Sequence, residues 1–510
     1  MPTLFRRLSL SLVLATIFAS SGLANATYQY QIFMPGLVGS VSGGGITPEE
    51  VSYNIGLAPY SFPQGEVGQS YNVSLASLLQ ISPTPTAQSY LDQVSWSVVG
   101  NLPPGLALTG ALGEPAISGM PSTVNAGAQF DIVATYSGSN GQRTYTIVVG
   151  GATLNVTSIS VGGSYACAVT TSGGAKCWGT GDSGQLGDGR AVNATTPVNV
   201  TGLTSGVASI SAGRAHTCVV TTSGGAKCWG AGVWGTLGRG SEGSATTPVN
   251  VTGLTSGVAA ISAGYYHTCA ITTSGGAKCW GQGTDGQLGG GSTSDAWTPA
   301  NVAGLSSGVT SISTGDYHTC AVTAAGGAKC WGRGTSGQLG NGNTASTTTP
   351  VDVTGLSSGV TSISTGDYHT CAVTAAGGAK CWGYGAYGQL GQGATATITT
   401  PVNVTGLTSG VASISAGNGH TCAITTSGGA KCWGNGADGR LGNGSTASVT
   451  TPVDVTGLTS GVTRISGGGR HTCAVTTSGG AKCWGYGHLG RLGNGSTTTS
   501  TTPVNVLHGS

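Results

Sequence analysis

The sequence predicts an all-β protein: a seven-bladed β-propeller with one disulfide per blade, preceded by a small β-sandwich. Three observations carry this prediction. The stretch His216-Thr-Cys-Val-Val-Thr-Thr-Ser-Gly-Gly-Ala-Lys-Cys-Trp-Gly230 recurs, identical or nearly so, every 51 residues and seven times over. A fixed period of this length marks a solenoid, a propeller or an array. Each period holds four short runs rich in Val, Ile, Thr and Trp, separated by Gly, Ser and Asn, which is the pattern of four antiparallel strands. No stretch beyond the first 26 residues sustains a helical period. Four strands in about fifty residues make one propeller blade.

Residues Met1 to Ala26 read as an export leader: Arg6 and Arg7, an apolar run from Leu8 to Ala19, and Ala24-Asn25-Ala26 as a small-x-small cleavage site. The apolar run is too short to span a membrane. With no cysteine at the cleavage site and no second hydrophobic segment, neither a lipid anchor nor a membrane span is expected. Residues 27–55 are Gly- and Ser-rich and read as a spacer. Residues 56–150 hold a different unit, with Ser95-Trp-Ser-Val-Val99, Leu102-Pro-Pro-Gly-Leu-Ala-Leu108, Ala116-Ile-Ser-Gly-Met-Pro121 and Thr144-Tyr-Thr-Ile-Val-Val149. Short strands with turns between them over about a hundred residues suit a small β-sandwich, with Trp96 in its core.

Residues 151–510 form the repeat region. Its first cysteines are Cys167, Cys218, Cys269, Cys320, Cys371, Cys422 and Cys473; its second are Cys177, Cys228, Cys279, Cys330, Cys381, Cys432 and Cys483, and these use all 14 in the chain. Each pair brackets a Thr-Ser-Gly-Gly or Ala-Ala-Gly-Gly turn, which sets the two cysteines opposite each other on neighbouring strands, so seven disulfides within blades are expected. Zinc is the alternative, but the CxxC spacing typical of such sites is absent. An oxidising compartment agrees with the leader: secreted, at the cell surface or periplasmic. A Thr-Pro-Val-x-Val strand recurs at Pro197, Pro248, Pro299 (where Ala300 takes the place of the first Val), Pro350, Pro401, Pro452 and Pro503. None precedes the first cysteine hairpin, so Pro503-Val-Asn-Val506 is expected to complete the ring with the first unit and remove a free sheet edge.

The repeat region resembles the regulator of chromosome condensation repeat family. The residues that carry the resemblance are His-Thr-x-Ala-Val-Thr…Gly-Gly-x-x-x-Trp-Gly and the Gly-Gln-Leu-Gly of 184–187, 286–289 and 337–340. It implies a seven-bladed propeller and leaves the function open, because fold alone does not settle it. The family's nucleotide-exchange factor relies on a wedge inserted in one blade, and the constant spacing here leaves no room for one. Its ultraviolet photoreceptor carries Gly-Trp-Arg-His-Thr, whereas the aligned positions 213–216, 264–267, 315–318 and 417–420 read Gly-Arg-Ala-His, Gly-Tyr-Tyr-His, Gly-Asp-Tyr-His and Gly-Asn-Gly-His. A tryptophan photosensor is therefore not expected. A secreted bacterial propeller that inhibits β-lactamases through its loop face is the functional analogue. The unit over 56–150 is similar to immunoglobulin-like, cadherin-like domains of bacterial surface and secreted proteins, which implies a spacer or adhesive module.

In a four-stranded blade the first and third loops share one face of the disc, and the turn between the cysteines shares the other face with the link to the next blade. The second set hardly changes between repeats, while the first set varies and is rich in Tyr, Trp and Arg, the residues enriched at binding hot spots. This face is the candidate interaction surface, with Arg214, Trp234, Tyr265, Tyr266, Asp316, Tyr317, Arg333, Asp367, Tyr368, Tyr384, Tyr387, Arg470 and Tyr486 as its contact residues; free drift of loops near the axis is the alternative. The repeated His216, His267, His318, His369, His420 and His471 would lie around the ring, too far apart for one ion, and are expected to bond backbone within each blade.

Charged residues make up 7% of the chain and the formal net charge is +2, which leaves no basic face for nucleic acid. No Ca²⁺ loop, metal set, cofactor motif or nucleophile elbow is present. Asp316 and Asp367, in adjacent units, would be the first place to look for catalysis. The sequence reads as a secreted, non-enzymatic binder of an extracellular or envelope protein or of a glycan. A structural cell-envelope or adhesin component is the alternative, and a hydrolase or lyase acting on an extracellular polymer a third reading.

Overall fold

The computed structural model describes residues 54–82, 90–110, 113–122 and 125–509. The expected leader, and the expected spacer up to residue 53, lie outside them.

Residues 54–150 fold around Leu75, Ile117, Ile132 and Ile147, all fully buried. One four-stranded sheet runs in the order Gly65–Glu66, Ser139–Gly150, Asn125–Tyr136, Ser95–Gly100; a three-stranded sheet contains Tyr71–Ser74, Ala116–Gly119 and Leu106–Thr109. Alternation of buried and exposed residues along Tyr71–Ser74 presents Tyr71 and Val73 to the core. Trp96 is partly buried and packs against this core, as expected.

From Val156 onward the strands form seven separate four-stranded meanders. The first contains Val156–Val161, Tyr165–Thr170, Ala175–Gly179 and Ala194–Asn199; the seventh contains Val462–Gly467, His471–Thr476, Ala481–Gly485 and Ser500–Asn505. The two cysteines of each repeat are register partners, such as Cys167 with Cys177. All seven disulfides form, with Cα atoms 4.0–4.1 Å apart. The inner strands end in small residues because the axis is crowded: a Cβ on Gly213 would stand 2.3 Å from the Gly264 carbonyl oxygen of the next blade. Each outer strand carries its proline in the middle, which removes a donor from the exposed edge and discourages pairing with another chain.

Ring closure differs from the expectation. Ser500–Asn505 is the fourth strand of the seventh blade and pairs with Ala481–Gly485 rather than joining the first blade. Closure comes from the short segment ahead of the first blade. Leu154 receives the Ala481 N–H at its carbonyl and donates its own N–H to Val506, while Ala152 accepts from His508. In the other blades the carbonyl partner is the link leucine, as in Ala226 N–H to Leu254. Leu154 thus fills the seventh link position from the N-terminal side, and it is buried with Trp178, Cys483, Leu492 and Val506.

Neighbouring blades are latched by the repeat's own motif. The indole N–H of Trp229 and the hydroxyl of Thr217 both donate to the backbone carbonyl of Gln185, in the third loop of the preceding blade, each at 2.9 Å. The same pair of bonds recurs on Gln287, Gln338 and Gln389. Because only the backbone is used, the side chain at that position is free to change, and Thr236 and Arg440 accept the same two bonds. All seven tryptophans of this motif are fully buried.

The histidines complete the latch, and here too the expectation is corrected. His216, His267, His318, His369 and His420 bond through Nε2 to the threonine hydroxyl of the next blade at 2.8–2.9 Å, not to backbone in their own blade. Each threonine has one proton and donates it to the loop carbonyl, so each Nε2 carries the hydrogen of this bond. Burial holds the imidazoles far below their ordinary pKa, at about 3 for His267, His318 and His420 and about 4 for His216 and His369. At the closing seam Ala166 stands where the threonine would be, and His471 Nε2 has no partner.

Candidate functional site

The Gly-Gln-Leu-Gly motif also sets the shape of the third loops. In four blades the Gln side-chain oxygen accepts the N–H of the residue two positions earlier: Ser183, Asp285, Ser336 and Tyr387. In the other three, Thr236, Arg440 and Arg491 replace the Gln and this bond is lost. The residue two positions earlier then turns left-handed: Trp234 at φ 52°, Asp438 at φ 61° and Leu489 at φ 62°. A non-glycine residue in this region costs on the order of 1–2 kcal/mol, and such strain clusters at functional positions.

First and third loops meet on one face of the ring, and most of the sequence-predicted residues touch one another there. Seven rings form a continuous arc, in the order Trp234, Tyr266, Tyr265, Tyr317, Tyr368, Tyr384, Tyr387, with successive centroids 4.1–6.4 Å apart. Arginines lie over these rings: the Arg214 guanidinium is 4.0 Å from the Tyr265 centroid and that of Arg333 is 3.9 Å from Tyr317. Arg333 is also held side-on by Asp285, Nε to Oδ1 at 2.8 Å and Nη2 to Oδ2 at 3.1 Å.

Tyr486 and Arg470 form a second group. Tyr486 lies under Arg470 at 4.3 Å and Arg491 at 4.8 Å, with His488 stacked on its ring. Asp438 pairs with both Arg470 and Arg440. The guanidinium of Arg440 is buried and donates to the carbonyls of Asn418 and Gly469. Arg440 and Arg491 were missed in the sequence. Their signal is the departure from Gly-Gln-Leu-Gly at 439–442 and 490–493.

Asp316 and Asp367 line the mouth of a narrow axial channel, together with Arg214 and Asn418. The two carboxyls hydrogen-bond each other. Burial, then the neighbouring Asp367, pushes Asp316 well above the carboxylate range; burial raises Asp367 to about 6, against the pull of Arg214. Such a pair shares a proton at neutral pH. Among the described residues no group of three His, Cys, Asp or Glu side chains could hold a metal, and no helix is long and apolar enough to cross a membrane.

Comparison with known proteins agrees with this architecture. The family model "Regulator of chromosome condensation (RCC1) repeat" matches residues 173–220, 224–271, 275–322, 330–373, 381–424 and 428–475, and a second model of the same name matches six stretches between 156 and 491 that overlap these. The "Putative Ig domain" model matches 55–150. The chain is 32% identical over 352 residues to the Ultraviolet-B receptor UVR8 of Arabidopsis thaliana, covering 68% of this chain and 80% of that protein. It is 32% identical over 337 residues to the E3 ubiquitin-protein ligase HERC2 of Homo sapiens, covering 64% of this chain and 7% of that one. Among solved structures, human WBSCR16 matches with a TM-score of 0.58 at 22% identity, over 65% of this chain and 93% of that one. Yeast RCC1 (Prp20), solved bound to Kap60, matches at 0.58 and 21% identity, over 69% and 85%. The chain belongs to the regulator of chromosome condensation repeat family, with an immunoglobulin-like domain ahead of its propeller.

Proposed function

We propose that this protein is an exported, non-enzymatic propeller that binds another protein through the variable loops of one face. In this reading residues 1–26 are a leader, 27–55 a spacer, 56–150 the immunoglobulin-like module and 151–510 the propeller. The contact residues are Arg214, Trp234, Tyr265, Tyr266, Asp316, Tyr317, Arg333, Asp367, Tyr368, Tyr384, Tyr387, Arg470 and Tyr486.

The observation that carries the proposal is the aromatic arc. Its rings come from the variable first and third loops, and it includes a tryptophan held in a strained backbone conformation. Rigid tyrosines and tryptophans supply large contact area at low entropic cost. A protein fits the arc better than a glycan does. Tyr265 is covered by Arg214 and stacked against Tyr317, and Tyr317 lies between Arg333, Tyr265 and Tyr368. Rings engaged in this way offer edges and hydroxyls rather than the open faces on which sugars stack. Seven buried disulfides suit an oxidising compartment outside the cytosol. Among the relatives, one is named a receptor and another was solved bound to Kap60, which supports a binding role.

The test is capture from the host's envelope fraction and culture fluid on the oxidised protein, beside a variant with Trp234, Tyr265, Tyr266, Tyr317 and Tyr368 changed to Ala. A protein held by the first and lost by the second is expected. Equal capture by both would remove the arc from the function.

A further inference from the structure

Three tyrosines of the face carry a guanidinium over their rings: Tyr265 under Arg214, Tyr317 under Arg333, and Tyr486 under Arg470 and Arg491. Stacking fixes the plane of an arginine and leaves its in-plane donors to read a carboxylate in two-point fashion. Three of the four arginines already have in-chain partners. Arg333 takes both oxygens of Asp285, Arg470 takes Asp438, and Arg491 donates Nε–H to the His488 carbonyl. Arg214 is the exception among these four: it is exposed, its backbone N–H goes to the Gly264 carbonyl, and its guanidinium has no in-chain hydrogen bond or ion pair among the described residues. Its charge is felt by Asp316 and Asp367, yet those two carboxyls bond each other rather than the guanidinium.

Arg333 with Asp285 is therefore a finished copy of a device that Arg214 presents unfinished. We infer that Arg214, held flat on Tyr265 at the channel mouth, receives the carboxylate of an Asp or Glu side chain from the protein that docks on the aromatic arc. This deepens the reading above and rests on it: the arc supplies the contact area and Arg214 the polar anchor that fixes register. An acidic polysaccharide could also bring carboxylates, but the engaged ring faces give its sugars no platform.

The experiment uses the oxidised full chain and a displayed library of random peptides selected for binding to it. Peptides lost on the Tyr265, Tyr317 and Tyr368 to Ala variant are kept for analysis. Each is measured against the wild type, R214Q, R214K and the exposed control R464Q, both as selected and with its Asp or Glu changed to the amide. The expected result is a loss of tenfold or more for R214Q and for R214K, no loss for R464Q, and no added loss when the peptide's acid is removed as well. Equal binding to wild type and R214Q, or losses that simply multiply, would overturn the carboxylate anchor while leaving the arc as the binding face. Selection that yields no arc-dependent peptide would count against both. Oligogalacturonate that binds in an Arg214-dependent way while no peptide does would replace the protein partner with a glycan. R214Q and R214K change an exposed side chain, so an unchanged melting temperature confirms that the fold is intact.

Discussion

The seams between blades and the loops above them come from the same 51-residue repeat and follow opposite rules. In six of the seven seams a buried tryptophan and a threonine donate to one loop carbonyl, and in five of them an imidazole bonds the next blade's threonine. On the face above, corresponding positions hold Arg214, Tyr265, Asp316 and Asn418, and these meet an aromatic ring, two tyrosines, a carboxyl and the Arg440 guanidinium in turn. The seam can repeat because it uses backbone acceptors, and this frees the loop side chains to vary. The two regions also hold their titratable groups in opposite ways: burial pushes the imidazoles down and the Asp316 and Asp367 carboxyls up.

That opposition predicts the largest effect. The unfolded chain's histidines take up protons below about 6.5, whereas in the fold these imidazoles stay neutral down to about 3–4. The unfolded state therefore binds more protons across that window, and stability is lost as the pH falls from 6.5, by up to about 1.4 kcal/mol per pH unit for each histidine. The aspartate pair works the other way. Its folded pKa values are raised, so its contribution is present below the ordinary carboxylate value and is lost as the pH rises through about 6. Burial also holds His471 well below its ordinary value, and six such histidines outweigh two carboxyls, so the melting temperature is expected to fall steeply between pH 6.5 and pH 4.5. A melting temperature flat over that interval would contradict the neutral imidazole ring.

Next in size is the seam tryptophan. Trp331→Ala removes a fully buried ring and its bond to the Gln287 carbonyl, and the expected cost is about 3–5 kcal/mol in chemical denaturation. Tyr317→Ala on the face directly above should cost far less; equal losses would erase the distinction between seam and face.

The closing seam offers a smaller change in the stabilising direction. Ala166→Thr returns the hydroxyl that His471 lacks, and a gain of about 1 kcal/mol is expected for the completed buried bond. A drop in melting temperature would mean that Tyr165, which fills the first blade's histidine position and donates its hydroxyl to the His216 carbonyl, leaves no room for the latch.

Smallest in stability but telling for the face is Thr236→Gln. The new side chain can accept the Trp234 N–H as Gln185 accepts that of Ser183, releasing Trp234 from its left-handed conformation and from Tyr266. The melting temperature should barely move, while near-ultraviolet circular dichroism changes and partner affinity falls about tenfold, the size of a modest hot-spot loss. Unchanged spectra would show that the Gln does not govern the loop.

The sequence made the strands, the cysteine pairs and the variable face legible because all of these follow from position within one period. It did not show what happens between periods. The partner of His267 is Thr319, 52 residues on, and nothing within one repeat points to it. The closing segment around Leu154 lacks the Thr-Gly-Leu pattern of the other links and so did not register as one. Arg440 and Arg491 were hidden in the Gln slot of a motif read for its glycines. The stacking of Arg214 on Tyr265 and of Arg333 on Tyr317 needs the third dimension, although all four residues lie at variable loop positions.

The central claim is that recognition lies on the variable face and stability in the seams. Its most direct test is the affinity for the captured partner of two variants whose melting temperatures match the wild type: one with Trp234, Tyr265, Tyr317 and Tyr368 changed to Ala, the other with Ser223, Ser274 and Ser427 in the opposite-face turns changed to Arg. The account predicts a loss of a hundredfold or more for the first and no change for the second. The reverse result, or equal losses, would contradict it.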